Sequence, residues 1–97
     1  MNTEIIGVTG DIKRNLQTLF GTPEGTLVND RKYGINWDGV DSPPEVAEAM
    51  LMAEITEKVE RYEPRARVED IIPESSAEGV TTIKVVIRYA NQESTSG

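Results

Sequence analysis

A proline with an acidic residue before it and two basic residues after it lies in residues 61–67, Arg-Tyr-Glu-Pro-Arg-Ala-Arg. Pro64 lacks a backbone N–H and disfavours helical backbone in the residue before it, so a helix that enters this segment must end there. Beyond the proline, Arg65 and Arg67 lie on one side of an extended chain, and Glu63 can project to the same side. A carboxylate and two guanidinium groups at a fixed bend form either an internally paired cluster or a surface that recognises a partner.

The residue types exclude most enzyme chemistry. The chain has no cysteine and no histidine, which excludes a cysteine nucleophile, a histidine base and a zinc centre. The scheme that remains is a peptidoglycan-cleaving glycosidase with one protonated and one ionised carboxyl group. Neighbouring arginines lower the pKa of Glu63 and disqualify it as the acid, and most other carboxylates lie on predicted helix surfaces or in turns. We therefore predict no enzyme activity, no cofactor, no metal and no small-molecule substrate, and keep the glycosidase as the alternative.

Length and charge narrow the class of protein further. A chain of 97 residues fits one domain. The net charge of -7 argues against nucleic-acid binding, because contact with a phosphate backbone needs a basic face. No apolar run approaches the roughly 20 residues that span a bilayer, and the first residues lack the pattern of a signal peptide. We expect a protein that is made in a cytoplasm-like compartment and has neither a membrane nor a nucleic-acid partner.

Two amphipathic helices are predicted to position the charged bend. The first runs from an N-cap at Asp11 to a stop at Gly21, because its apolar residues recur at spacings of four and three. Its apolar face fits core packing, and a partner-facing stripe is the alternative. The second helix starts at an N-cap at Ser42, with a proline in its first turn, and ends at the bend. Its apolar stripe comprises Leu51, Met52, Ile55, Val59 and Tyr62, widened near the start by Val46, Ala49 and Met50.

The extended segments complete the predicted architecture. Residues 1–10 are predicted as an N-terminal arm, residues 11–90 as a single domain and residues 91–97 as a flexible tail. The loop between the helices is rich in glycine and proline, and residues 26–28 within it are predicted to form a short strand. 

After the bend, a strand is predicted over residues 66–72, with Ala66, Val68 and Asp70 on one side and Pro73 at its end. The strongest strand pattern covers residues 80–90. Together these elements predict an α+β fold in which two main helices pack on a small, mainly antiparallel sheet with a C-terminal β-hairpin.

The last strand is also a candidate interaction site. Its apolar positions are Ile83, Val85, Ile87 and Tyr89. If this strand lies at the edge of the sheet, its unpaired N–H and C=O groups can accept a strand from another chain. The alternative is an edge covered by the tail, by the N-terminal arm, or by Lys84 and Arg88.

Several short motifs in a fixed order give the chain a resemblance to a known family. They are residues 11–16, the run Leu19-Phe20-Gly21-Thr22-Pro23-Glu24-Gly25, the pair Tyr33-Gly34, and Tyr62-Glu63-Pro64-Arg65 followed by Val68 and a hairpin. In residues 10–90 the chain resembles the baseplate wedge and sheath-initiator proteins of contractile phage tails. Subunits of type VI secretion systems and of phage-tail-like bacteriocins belong to the same family.

The resemblance implies a structural protein of an assembled tail particle, made in the bacterial cytoplasm, whose partners are baseplate wedge proteins and the sheath protein. Within the family, the equivalents of Glu63, Pro64 and Arg65 are thought to grip the helical core bundle of the wedge, and sheath strands can add to the sheet. The old label for this family is lysozyme-like, but no acid/base pair is identifiable here. The partner-binding residues implied by the motifs are Tyr62, Glu63, Pro64, Arg65, Arg67, Thr22, Pro23, Gly25, Tyr33 and Gly34.

Overall fold

The computed structural model describes residues 2–77 and 79–90, in which helices and strands follow one another as predicted for an α+β fold. In chain order the elements are β1 (Asn2–Ile6), α1 (Gly10–Phe20), a 3₁₀ helix (Asp38–Asp41), α2 (Pro44–Tyr62), β2 (Ala66–Ser76) and β3 (Gly79–Tyr89). The predicted fold class and the C-terminal hairpin are confirmed. Residues 91–97, the predicted tail, lie outside the described residues.

Both helices end where the sequence predicts, but each begins at a different residue. Thr9 precedes α1 as its N-cap, whereas Asp11, the predicted cap, lies in the first turn and binds Arg65 instead. The N-cap of α2 is Pro43 rather than Ser42. Pro44 then occupies the first helical position, where its missing N–H has no intrahelical partner to lose.

The sheet is mixed, and β3 is its central strand. The strand order is β1-β3-β2, with β1 parallel and β2 antiparallel to β3. The prediction of a free edge is therefore wrong at Ile83 and Val85, where the alternative of an edge covered by the N-terminal arm applies. The pairing of β3 with β1 extends from Thr82 to Val86. Ile83, for example, pairs with Thr3 on one side and with Pro73 on the other. The physical reason is that Asn2–Ile6 can satisfy the backbone groups of β3 while burying Ile5.

A β-bulge in β2 changes which side chains face the core. The pairing register shifts between Val68 and Asp70, so one extra residue interrupts the alternation. Ala66 and Ile71 are consequently buried, while Asp70, predicted to share the side of Ala66, is exposed. The strand also continues through Pro73 to Ser76, because a strand at the edge of a sheet tolerates a proline.

The predicted strand at residues 26–28 does not form, and these residues belong to an irregular loop in which Leu27 and Val28 are exposed.

Both helices bury one apolar face against the sheet. For α2 this face consists of Ala47, Leu51, Ile55 and Val59. The predicted widening of the stripe is not part of the core, because Val46, Ala49 and Met50 are exposed. Within the residues that the structure describes, neither helix combines the length and apolarity needed to cross a bilayer.

Candidate partner-binding site

The bend after α2 is abrupt, as the sequence predicts. The helix ends at Tyr62, and Glu63 has non-helical backbone, with φ -140° and ψ 75°. The N–H of Ala66 donates to the carbonyl of Glu63 at 3.0 Å, which closes a turn around Pro64. The strand β2 starts directly at Ala66. We call residues 62–67 the corner.

An ion pair between the buried Glu63 and the half-exposed Arg65 holds the corner together. The Glu63 side chain is 6% exposed and accepts two hydrogen bonds from Arg65, from Nε at 2.7 Å and from Nη2 at 3.1 Å. Asn15 on α1 donates a third, from Nδ2 at 3.0 Å. A carboxylate that receives three donors is satisfied inside the protein. Arg65 differs from its partner because 51% of its side chain remains exposed.

The same arginine ties the corner to α1, whereas Arg67 stabilises the bend itself. Arg65 Nη1 donates to Asp11 Oδ2 at 3.1 Å. Arg67 Nη1 donates to the backbone carbonyls of Pro64, at 3.1 Å, and Ala66, at 2.9 Å. Of the two arrangements that the sequence leaves open, the structure contains the internally paired cluster, and it also leaves half of Arg65 at the surface.

The ion pair fixes the charges at the corner. The hydrogen bonds from Arg65 lower the pKa of Glu63 below its ordinary value of 4.5, against the opposing effect of burial. The same contacts raise the pKa of Arg65, and its hydrogen bond lowers the pKa of Asp11. Glu63 is therefore ionised at neutral pH and cannot serve as a general acid. Among the described residues there is also no group of three or more His, Cys, Asp or Glu residues that could hold a metal ion.

The two short loop motifs meet in space. The N–H of Ile35 donates to the carbonyl of Thr22 at 2.9 Å, and the N–H of Glu24 donates back to the carbonyl of Ile35 at 3.1 Å. Gly34 has a φ of +104°, and a Cβ atom there would lie 2.3 Å from the carbonyl oxygen of Thr22. The Thr22-Pro23-Glu24-Gly25 turn and the Tyr33-Gly34 pair thus form one folded unit that accepts only glycine at position 34.

A buried lysine, missed in the sequence analysis, anchors this loop to α2. Lys58 is 3% exposed. Its Nζ atom donates to Glu24 at 2.8 Å, to Glu54 at 2.8 Å and to the carbonyl of Gly34 at 2.7 Å. Burial disfavours its charge, but the bonds to the two carboxylates outweigh burial and raise the pKa of Lys58. Its place on the apolar stripe, three residues after Ile55, is the sequence signal that could have indicated burial.

Tyr62 connects the loop with the corner. Its hydroxyl lies 3.0 and 3.1 Å from the two carboxylate oxygens of Asp30, and its ring meets that of Tyr33 edge-on, with centroids 5.0 Å apart. Burial and the bond to Asp30 raise the pKa of Tyr62. A small cleft between α1 and this pair is lined by Asn15, Thr18, Leu19, Tyr33, Tyr62 and Glu63. The structure therefore brings Tyr33, Tyr62 and Glu63 to one place, whereas Thr22, Pro23, Gly25 and Gly34 support the loop behind it.

Comparison with known proteins shows which family the chain resembles. The family model described as "Baseplate wedge protein gp25" matches residues 8–94. A chain in the cryo-EM structure of the anti-feeding prophage (AFP) baseplate, 6-fold symmetrised, is similar in fold, with a TM-score of 0.68 and 23% sequence identity. The match covers 88% of this chain and 73% of the other. A search of curated proteins finds no match. Because the family model spans most of the sequence, the chain belongs to the baseplate wedge protein gp25 family, whose members are structural baseplate components and not enzymes.

Proposed function

We propose that the protein joins the baseplate wedge to the first sheath ring, docking through the corner on the helical core of neighbouring wedge proteins. The observation that supports docking is the asymmetry of the ion pair. Glu63 is buried and satisfied, while Arg65 is held in one orientation with half of its side chain exposed. A guanidinium has five N–H groups, more than the three hydrogen bonds that Arg65 donates among the described residues. Arg65 is thus oriented in advance to donate to acceptors on a partner.

A wedge-assembly assay with Arg65 variants tests the docking. The simple variant Arg65→Ala leaves Glu63 buried without its cation, so lost assembly would be hard to separate from lost stability. The informative protein is the double variant Glu63→Gln with Arg65→Gln, which removes both charges but keeps two side chains that can hydrogen-bond each other. Asp11→Asn is the matched control, because it removes an exposed ion pair of Arg65 and keeps the cation.

We expect the double variant to fold, as judged by its thermal unfolding, and to fail to enter wedge complexes. The Asp11→Asn control should assemble like the original protein. Normal incorporation of the double variant would remove the corner from the docking surface.

The sheet supports the second half of the proposal, at a different strand from the one predicted. Since β3 is paired on both sides over residues 82–86, a sheath strand added along that stretch must pair with β1 or β2. The outer strand β2 carries a bulge and Pro73, two features that discourage pairing at an edge. The strand β1 contains no proline and one charged residue, Glu4. We therefore assign the acceptor edge to β1, which pairs only with β3 among the described residues.

Proline substitutions at neighbouring positions of β1 test this edge. In a parallel strand, the backbone groups of successive residues point alternately to the two sides. Of Thr3→Pro and Glu4→Pro, one removes a donor to β3 and the other removes a donor at the free edge. The variant that loses only the donor at the free edge should be the less destabilised of the two, and unfolding measurements identify it. Thr3→Ala and Glu4→Ala are the side-chain controls. We expect the less destabilised variant to fold and to fail in recruiting sheath protein. Sheath recruitment by this less destabilised proline variant would refute the assignment of the acceptor edge to β1.

A further inference from the structure

The helix α2 has a second apolar surface that the core does not use. Four residues on the side opposite the buried stripe are exposed: Val46, Ala49, Met50 and Ala53. The exposed fractions of Val46 and Met50 are 47% and 48%, which is high for large apolar side chains. Single exposed apolar residues are ordinary in soluble proteins, but a continuous set on one helix face indicates an interaction surface.

The spacing of these residues is that of a helix-packing seam. Val46, Ala49, Ala53 and Thr56 follow one another at intervals of three, four and three residues, the pattern of the a and d positions in a coiled coil. With a rise of 1.5 Å per residue, the seam is about 15 Å long. Its two alanines allow another helix axis to approach closely. We call these four residues, with Met50 beside them, the outer seam of α2.

The charges around the outer seam determine which helix can bind there. Glu45 lies beside its start, and Glu57 and Glu60 continue it toward the C-terminal end, where Arg61 contributes one positive charge. The guanidinium of Arg61 lies over the ring of Tyr62, 5.6 Å from its centroid. The surface is therefore apolar at its centre and acidic at its rim.

A second copy of the chain does not fit this surface. In a parallel pair of α2 helices, Glu57 and Glu60 of both copies would lie together. In an antiparallel pair, the acidic end of each copy would lie against Val46 of the other. Both arrangements place like charges together or carboxylates on apolar side chains, each of which costs binding energy. A helix with an apolar seam and flanking Lys or Arg residues can pack on the apolar centre of the surface and pair with the carboxylates at its rim.

We propose that the outer seam of α2 binds an amphipathic helix with basic flanks, contributed by another baseplate protein. This inference rests on the family's structural role in the baseplate and is independent of docking through the corner. The outer seam and the paired groups of Glu63 and Arg65 are different surfaces, and the protein would thus hold two partners or two segments of one partner.

Photo-crosslinking in assembled particles tests the identity of the bound segment. A photoreactive amino acid at Glu57 lies at the rim and leaves the seam unfilled, while the same amino acid at Gln17, exposed on α1, is the control. We expect Glu57 to crosslink to a peptide that mass spectrometry assigns to a helix with an apolar stripe and flanking Lys or Arg residues. A crosslink to a second copy of this chain, to a segment without those features, or to no protein would overturn the proposal.

A charge placed in the seam gives an independent measurement. In Ala53→Arg the new side chain is compatible with a helix but puts a cation where we expect the apolar stripe of a basic helix. Incorporation into baseplates should fall at least about tenfold, while Gln17→Arg, with the same change in charge, should stay within about twofold of the original protein. Equal incorporation of the two variants, each with unchanged thermal unfolding, would show that the outer seam is not a binding surface. Ala53→Arg leaves every residue of the corner unchanged. A loss of incorporation by this variant therefore cannot be attributed to failed docking at the corner.

Discussion

Replacing Lys58 by methionine should destabilise the protein strongly, although the position is far in sequence from the loop it holds. Methionine keeps the unbranched apolar stem of lysine and removes its ammonium group. The change eliminates three hydrogen bonds of 2.7 to 2.8 Å, to Glu24, Glu54 and the carbonyl of Gly34. The two carboxylates and the carbonyl then lose their shared cation.

The size of the effect follows from how well each acceptor can be rehydrated. Removing one partner of a buried ion pair typically costs about 3–5 kcal/mol. The Glu24 side chain is 35% exposed and recovers water readily, whereas Glu54 is 20% exposed and the bond to Gly34 is buried. We therefore expect a loss near the lower limit, about 3 kcal/mol. For a domain of this size, that corresponds to a fall in Tm of about 12–24 °C.

Urea and thermal unfolding of Lys58→Met measure this loss of stability. Glu24→Gln and Glu54→Gln, which each neutralise one carboxylate, show how much of it each partner of Lys58 contributes. Glu54 also accepts the N–H of Asn36 at 2.9 Å, so Glu54→Gln should cost more than Glu24→Gln and less than Lys58→Met. In double-mutant cycles, the coupling of Lys58 with Glu54 should exceed that with Glu24. A destabilisation by Lys58→Met below about 1 kcal/mol would refute the reasoning, because that is the range of exposed ion pairs.

Further expected outcomes concern the two loop glycines and the corner. Gly34→Ala should lower the free energy of unfolding in urea by at least about 3 kcal/mol, because a positive φ combines with a backbone clash. Gly25→Ala, with a φ of +92° in open space, should lower it by about 1–2 kcal/mol. Equal losses in the two variants would contradict the clash at Gly34. The lowered pKa of Glu63 means that its contribution to stability is present above its unfolded pKa, near 4.5, and is lost as the pH falls through the folded pKa. Stability measured from pH 3 to pH 7 should therefore decline less toward acid in Glu63→Gln than in the original protein, and parallel curves would count against this origin of the acid sensitivity.

The sequence could predict the parts of this fold that local signals control. Pro64 ends α2, Gly21 ends α1, and alternation identifies β3, because each of these effects acts within a few residues. The corner could be predicted for the same reason, since Glu63 and Arg65 are two positions apart. Whether it was paired or free could not be read from the sequence, because the third donor to Glu63 comes from Asn15, 48 residues away.

The missed features depend on contacts between distant segments. Glu54 and Lys58 have the spacing of an ordinary surface pair on a helix, and the groups that distinguish Lys58 are Glu24 and Gly34, which are 34 and 24 residues away. The sequence left open whether β3 has a free edge or is covered by the N-terminal arm, because Asn2–Ile6 carries few local signals and its partner β3 lies at the other end of the chain. Pairing between such distant segments is selected by the assembled core rather than by local propensity.

The internal pairing of the corner would favour the docking that we propose. A free, flexible arginine would lose side-chain entropy on docking, at a cost of about 0.5–1.5 kcal/mol. Arg65 is already held by Glu63 and Asp11, so that cost is met during folding. The same contacts fix the corner to α1, while Tyr62 and Lys58 fix the loop to α2. A partner that docks on Arg65, as we propose, would therefore meet a surface whose parts are tied together by hydrogen bonds and ion pairs.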